Sequence, residues 1–375
     1  MLIELLQGID PLRYKVMLSI GYNLGKHEIL KPQIPAHVSV HYLLEKNSLT
    51  FARRKKMTGY LPLHEKLYDD LVLPAFRRKA QRKKLQELAQ QADVFIDFDM
   101  TAAPYVGDLK GIRKVAYCHF SFTHYWNGNK RKLDKLAQRL DQYDAVVMLC
   151  DEMLEEAAQR YPELGKKMVR IYNALNLENT RKAALEPLPE ETPVMQDGYL
   201  VSVGRLLESQ KDFTTLIKAY ALCVHQYKIA EQLVIVGEGG SRPELEALAE
   251  KLGVRDKIFF AGYQSNPYKW VARARLFMFS SKYEGLPTVL IEALALYRPI
   301  VATACPSGIK EVVMYGEAGI YTPPGDAAKL AEGVHRLLQD KALQEQFRSN
   351  SETILKQFDV RYMVGEFERL VVGKD

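Results

Sequence analysis

KYEGLPTVLIEALALYRPIVATACPSGIKE, residues 282–311, is the stretch on which the fold turns. An apolar run at 275–280 leads into it and reads as a buried strand. Pro287 and Thr288 then open a helix, as residues of that kind do. Strand, turn and helix in this order place free backbone N–H groups and the positive end of a helix dipole at the top of a strand, a position that favours phosphate. Glu284 falls in the turn and Glu292 about one turn inside the helix. The spacing lets one carboxylate face a sugar and the other a ribose, because a carboxylate accepts hydrogen bonds from a vicinal diol through both oxygens.

Outward from this stretch, apolar runs alternate with amphipathic helical segments from end to end, which predicts α/β architecture with parallel sheets. Strands are predicted at 14–20, 37–43, 93–98, 114–118, 145–149 and 169–172. In the second half they are predicted at 199–203, 232–236, 257–260, 275–279 and 299–303, followed by helices from 326 to 340 and onward. Residues 184–197, ALEPLPEETPVMQD, are rich in proline and glutamate, lack any period, and read as a linker. The expected domains are 1–187 and 188–358, with a closing helix in 359–375.

Composition bounds the partners. With 375 residues, 47% hydrophobic and 26% charged, the chain suits two ordinary soluble domains. No run approaches the length of a membrane span, and MLIELLQGID lacks the pattern of a signal peptide, so a cytoplasmic location is expected. Cys118, Cys150, Cys223 and Cys305 are scattered without a metal or redox spacing and are expected as free thiols. The net charge of +6 is uneven, at +8 for residues 1–187 and −2 for the rest, and residues 53–84 alone carry +8. Basic clusters at 53–56, 77–79 and 82–84 alternate there with Tyr60, Leu61, Leu63, Leu67, Leu71 and Phe76. The pattern suits an anionic membrane surface or a phosphorylated lipid acceptor, or else a solvated helix face. Nucleic acid is disfavoured, because no recognition motif is present and the second half is acidic.

The run at 282–311 resembles the E-x7-E element of the retaining glycosyltransferases of family 4, whose GT-B fold sets two Rossmann-like domains face to face. Val203-Gly204-Arg205 with Lys211, Ile235-Val236-Gly237-Glu238-Gly239 and Ile171-Tyr172-Asn173 carry the likeness across nearly the whole chain. The resemblance implies that Arg205 and Lys211 stabilise the departing diphosphate, helped by the backbone of Gly285, Leu286, Pro287 and Thr288. It implies that Glu284 binds hydroxyls of the donor sugar and Glu292 those of the ribose. Gly204 and Gly237 would form strand-top loops, Tyr263 would lie by the base, and His119 would lie near the transferred sugar. His124, Tyr125 and Trp126 offer faces for an acceptor sugar, or fold back as a hydrophobic loop. The implied reaction takes no metal and no cofactor. It moves a hexose or N-acetylhexosamine from a nucleoside diphosphate, expected to be UDP, to a bacterial surface glycan or lipid-linked acceptor. Attack occurs on the front face, and the leaving phosphate takes the acceptor proton.

Two departures from the family pattern stand out. Residues 1–6 read as a helix where family members open with a strand, so a loop on the acceptor side is expected to be lost. Tyr297 occupies the place of a helix-ending glycine, so the helix is expected to end differently. Other readings remain open at this stage: a nucleotide-sugar-binding protein without turnover, a GT-B epimerase acting on the donor alone, and a manganese site of GT-A type at Asp97-Phe98-Asp99.

Overall fold

The computed structural model of the chain describes residues 1–23, 28, 30–44, 62–124, 128–190, 192 and 197–373. Its strands are β1 (Met17–Ile20), β2 (Ser39–Tyr42), β3 (Val94–Asp97), β4 (Arg113–Cys118), β5 (Ala145–Met148), β6 (Met168–Arg170), β7 (Tyr199–Val203), β8 (Gln232–Val236), β9 (Ile258–Gly262), β10 (Leu276–Phe279), β11 (Ile300–Thr303) and β12 (Ile320–Thr322). Contacts group the chain into two compact units. The first comprises Met1–Tyr117, Lys135–Val146 and Glu368–Asp375, and the second Cys118–Asp134 and Val147–Phe367.

The second unit holds a six-stranded sheet in the order β12-β11-β10-β7-β8-β9. Every pairing within it is parallel. Numbered from β7, this is the doubly wound order 3-2-1-4-5-6, which reverses between β7 and β10. All four residues of β10 are buried, as are the first four of β7 and the last four of β8. Such continuous apolar strands are what a parallel sheet covered by helices on both faces requires. Leu216, Tyr220, Leu233, Met278 and Leu330 belong to one core cluster. The two remaining sheets run β1-β2 and β3-β4-β5-β6. The opening residues form the helix Leu2–Gly8, as the sequence predicts.

Boundaries differ modestly from expectation. The strand expected at 14–20 is confined to β1, and the one expected at 37–43 to β2. The strand expected to end at 260 continues as β9 to Gly262, past an irregularity in its pairing with β8. The sequence reading missed β12, whose three residues lie between Gly319 and Pro323 and are too few to show a period. Residues 191 and 193–196 of the expected linker lie outside the described residues.

The expectation for Tyr297 is overturned. Its backbone takes the left-handed conformation, φ 55°, directly after the helix Thr288–Ala295. Arg298 N–H donates to the Ala293 carbonyl and Tyr297 N–H to that of Leu294, both at 2.9 Å. These are the paired bonds of a Schellman ending, which glycine normally makes. The cost of a side chain there, about 1 kcal/mol, is offset by what that side chain touches. The guanidinium groups of Arg181 and Arg348 lie 4.8 and 5.2 Å from the centre of its ring, and its hydroxyl donates to Glu352.

No helix among the described residues is long and apolar enough to cross a membrane. All four cysteines are buried and free. Burial pushes the Cys118 and Cys223 thiols up to about 12, so neither is a thiolate near neutrality.

Candidate functional site

In a doubly wound sheet, ligands bind beyond the carboxyl ends of the strands where their order reverses, here at β7 and β10. Gly204 and Arg205 follow β7, while residues 280–284 follow β10. The two strand-top segments are bonded together. Lys282 N–H donates to the Gln210 carbonyl at 2.8 Å, and Ser280 Oγ to that of Asp212 at 2.6 Å. Asp212 caps the helix Phe213–His225 through a bond from Thr215 N–H, which places Lys211 just ahead of the cap.

At the centre, Lys211 Nζ pairs with Glu284 Oε1. Ser281 Oγ lies 2.7 Å from the same oxygen. The Glu284 and Lys211 side chains are only 7% and 15% exposed, so the pair sits in a medium where its attraction is weakly screened. Among the described residues Oε2 of Glu284 has no hydrogen-bond partner, and that oxygen remains available to a hydroxyl. The sequence reading gave Lys211 to the diphosphate and Glu284 to the sugar as separate tasks. The structure joins them in one ion pair.

The backbone around Glu284 is fixed from two sides. Its N–H donates to the Pro306 carbonyl at 3.1 Å, and Ser307 Oγ lies 2.5 and 3.0 Å from the Glu284 and Gly285 carbonyls. Ser307 and Gly308 both have positive φ, 82° and 71°, which turns this loop back towards the strand top. A Cβ on Gly285 would stand 2.4 Å from the His119 carbonyl oxygen, so only glycine allows the approach. Leu286 and Pro287 are buried, and Thr288 begins the helix that carries a half-buried Glu292. The opening amides of that helix have no acceptor within it.

Gly204 and Gly237 have backbone roles. Gly204 N–H donates to the Val236 carbonyl and Leu206 N–H to that of Glu238, both at 3.0 Å. Gly237 has φ 143°, and a Cβ there would lie 1.9 Å from the Gly204 carbonyl oxygen. The loops after β7 and β8 are thus closed backbone to backbone. Arg205 is exposed, and its guanidinium has no ion pair among the described residues. Tyr263 is 72% exposed beyond Gly262. The imidazole of His124 stacks on Tyr283, with ring centres 5.5 Å apart and planes at 13°. Tyr125 and Trp126 lie outside the described residues.

Asp97 and Asp99 are occupied within the first unit. Tyr143 Oη donates to Asp97 Oδ2 at 2.5 Å and Ala102 N–H to its Oδ1 at 3.3 Å, while Asp99 accepts from Thr101 N–H and Oγ1. Burial raises the Asp97 carboxyl from 3.8 to about 6. A raised carboxyl favours the folded state when protonated, so its stabilising effect is full below about pH 4 and is lost as pH rises through 6. Relative to Asp97→Asn, the native chain should lose about 2 kcal/mol between pH 4 and pH 7. Urea unfolding of both proteins at the two pH values checks this, and equal pH dependence would refute it.

Residues 188–353 match the family described as Glycosyl transferases group 1. Over this segment the chain is similar to the group 1 glycosyl transferases. The chain is 34% identical over 206 residues to the N-acetylgalactosamine-N,N'-diacetylbacillosaminyl-diphospho-undecaprenol 4-alpha-N-acetylgalactosaminyltransferase of Campylobacter jejuni. That match covers 55% of this chain and 54% of the relative. It is 30% identical over 220 residues to the lipopolysaccharide core biosynthesis glycosyltransferase LpsE of Rhizobium meliloti, covering 58% and 62%. The chain therefore spans little more than half the length of these relatives. The crystal structure of Anabaena HepE in complex with UDP and glucose superposes with a TM-score of 0.74 at 17% identity, covering 99% of this chain and 94% of that one. WaaG, described as involved in lipopolysaccharide biosynthesis, gives 0.67 at 16%, covering 99% and 95%. The fold is GT-B.

Within residues 188–353, sequence reasoning passed over Ser281, Tyr283, Ser307 and Glu311. Each lies within or beside the quoted run, but a lone serine or tyrosine in a loop carries no spacing signal. Glu311 is buried, and its two oxygens accept from Asp151 N–H and Glu152 N–H at 3.0 Å and from Tyr172 Oη at 2.9 Å. It thereby caps the helix Asp151–Arg160, whose preceding residue, Cys150, supplies no side-chain cap. Glu311→Ala should cost about 3 kcal/mol in urea unfolding, since three donors lose one acceptor. A cost below 1 kcal/mol would show that water replaces it.

Proposed function

We propose that the protein is a retaining, metal-independent glycosyltransferase. It moves a hexose or N-acetylhexosamine from a nucleoside diphosphate sugar, UDP in the first instance, to a bacterial surface glycan or lipid-linked acceptor. The observation that carries this reading is the buried Lys211–Glu284 pair where β7 and β10 diverge. A diphosphate there meets the Lys211 ammonium, the exposed Arg205 guanidinium and the opening amides of the helix Thr288–Ala295. These groups neutralise charge as the bond to the leaving phosphate breaks. Glu284 Oε2 accepts a hydroxyl of the donor sugar, and Glu292 the ribose diol. His119, whose backbone carbonyl lies against Gly285, is assigned to the transferred sugar. The leaving phosphate oxygen takes the proton of the attacking acceptor hydroxyl, so no carboxylate nucleophile is required.

The names of the relatives support a saccharide acceptor of the surface-glycan type. A membrane-linked acceptor also accounts for residues 53–84. Arg53, Arg54, Lys55, Lys56, Tyr60 and Leu61 lie outside the described residues. In the described part, Leu63, Leu71 and Phe76 are 66%, 68% and 56% exposed and lead into the basic helix Leu73–Ala89. An exposed apolar stripe beside a cationic helix suits the cytoplasmic face of an anionic bilayer.

Calorimetric titration of UDP into the whole chain in EDTA tests the donor site. Transfer from UDP-sugars, with the anomeric configuration of the product read by NMR, tests retention. UDP binding that appears only on adding manganese would overturn the metal-independent reading, and an inverted product would overturn retention.

A further inference from the structure

Beside Tyr283, the neighbour of Glu284 in the chain, three polar side chains form a relay that the proposed reaction leaves without a task. Glu156 accepts from Ser121 Oγ at 2.8 Å through Oε2 and from Thr123 N–H through Oε1. A carboxylate brings no proton to such a contact, so the single hydroxyl proton of Ser121 points at Glu156. Ser121 Oγ also lies 3.3 Å from His124 Nδ1. With its proton committed, Oγ must accept there, and Nδ1 must carry the hydrogen. In the neutral form of the ring this leaves the lone pair on Nε2. Ser121 is 2% exposed, so water does not compete for the arrangement. The ring is fixed on its face as well, by the stack on Tyr283. Among the described residues Nε2 has no partner.

We propose that His124 is a positioning residue whose Nε2 accepts a hydrogen bond from a hydroxyl of the sugar bound beside Glu284, with Ser121 and Glu156 setting its tautomer. A hydroxyl is the complement of a lone pair that is fixed in place and has no partner among the described residues. The inference rests on the glycosyltransferase reading. The donor and the acceptor both bring sugar hydroxyls, and the test separates them.

The variant is His124→Phe, which keeps a flat ring over Tyr283 and removes the lone pair, studied in the full chain beside Ser121→Ala. The probes are UDP, UDP-glucose and UDP-N-acetylglucosamine, with octyl glycosides as acceptors. A donor hydroxyl predicts about a tenfold loss of UDP-sugar affinity with UDP affinity unchanged, the size of one buried hydrogen bond. An acceptor hydroxyl predicts unchanged donor affinity and about a tenfold rise in acceptor KM with kcat kept. Ser121→Ala should show a smaller loss of the same kind, since the second tautomer becomes accessible. A His124→Phe protein equal to wild type in both assays overturns the inference while the glycosyltransferase reading stands. A wild-type chain that neither binds UDP nor turns over either UDP-sugar overturns that reading, and the inference with it.

Discussion

Glu284→Gln is expected to lower the rate of sugar transfer about a thousandfold, the size of effect that follows loss of a group aimed at the reacting centre. The amide keeps the shape of the side chain and one acceptor oxygen, so the loop from Ser281 to Pro306 should stay folded. It removes the negative charge that holds Lys211 Nζ in place. The ammonium then has only the donor diphosphate as counterion. UDP affinity should stay within about threefold of wild type, or tighten. Lys211→Ala should differ, because it removes the cation itself and leaves a carboxylate that is 7% exposed without its partner. That variant should lose both transfer and UDP affinity. Initial rates with a UDP-sugar, together with calorimetry of UDP, separate the two patterns. Near-normal turnover in Glu284→Gln would take this carboxylate out of the chemistry.

Gly237→Ala is expected to cost at least about 3 kcal/mol of stability, or to prevent accumulation of folded protein. Two costs act together at this position. Its φ of 143° lies where L side chains are strained, and the added methyl would stand 1.9 Å from the Gly204 carbonyl oxygen. Relief would require the loop after β8 to part from the loop after β7, breaking the bond from Gly204 N–H to the Val236 carbonyl. Gly240→Ala is the matched control, since nothing lies within 4 Å of a Cβ there. It should change stability by less than about 1 kcal/mol. Urea unfolding of the two variants decides the matter, and equal midpoints would show that the loops are not locked together.

The parallel sheet of the second unit was legible because its strands are fully buried. Runs such as Leu276–Phe279 and Leu233–Val236 are continuous in apolar residues, and the structure starts the first one residue later than expected and gives the strand at 232–236 the expected bounds. β12 was not legible, because three residues carry no period. Tyr297 misled for a different reason. The rule that a left-handed helix ending prefers glycine concerns the backbone alone, and cannot include two arginines and a glutamate brought from the helices Leu177–Ala183 and Lys341–Phe358. The D-x-D at 97–99 was legible as a pattern. Its engagement by Tyr143, 46 positions away, was not.

By itself the sequence determined the α/β class, the turn and helix that carry Glu284 and Glu292, and the glycines at the strand tops. All of these follow from local propensity, burial period and short spacing. Only the tertiary structure decided that Lys211 and Glu284 form one buried pair, that Gly285 rests on the His119 carbonyl, and that Glu156 and Ser121 fix the imidazole of His124. Those facts join residues from 35 to more than 160 positions apart. Lys211 and Glu284 meet, as Ser121 and Glu156 do, because a parallel sheet gathers the ends of distant strands at one edge, whereas Gly285 and His119 follow strands of different sheets, and no periodicity along the chain encodes either kind of meeting.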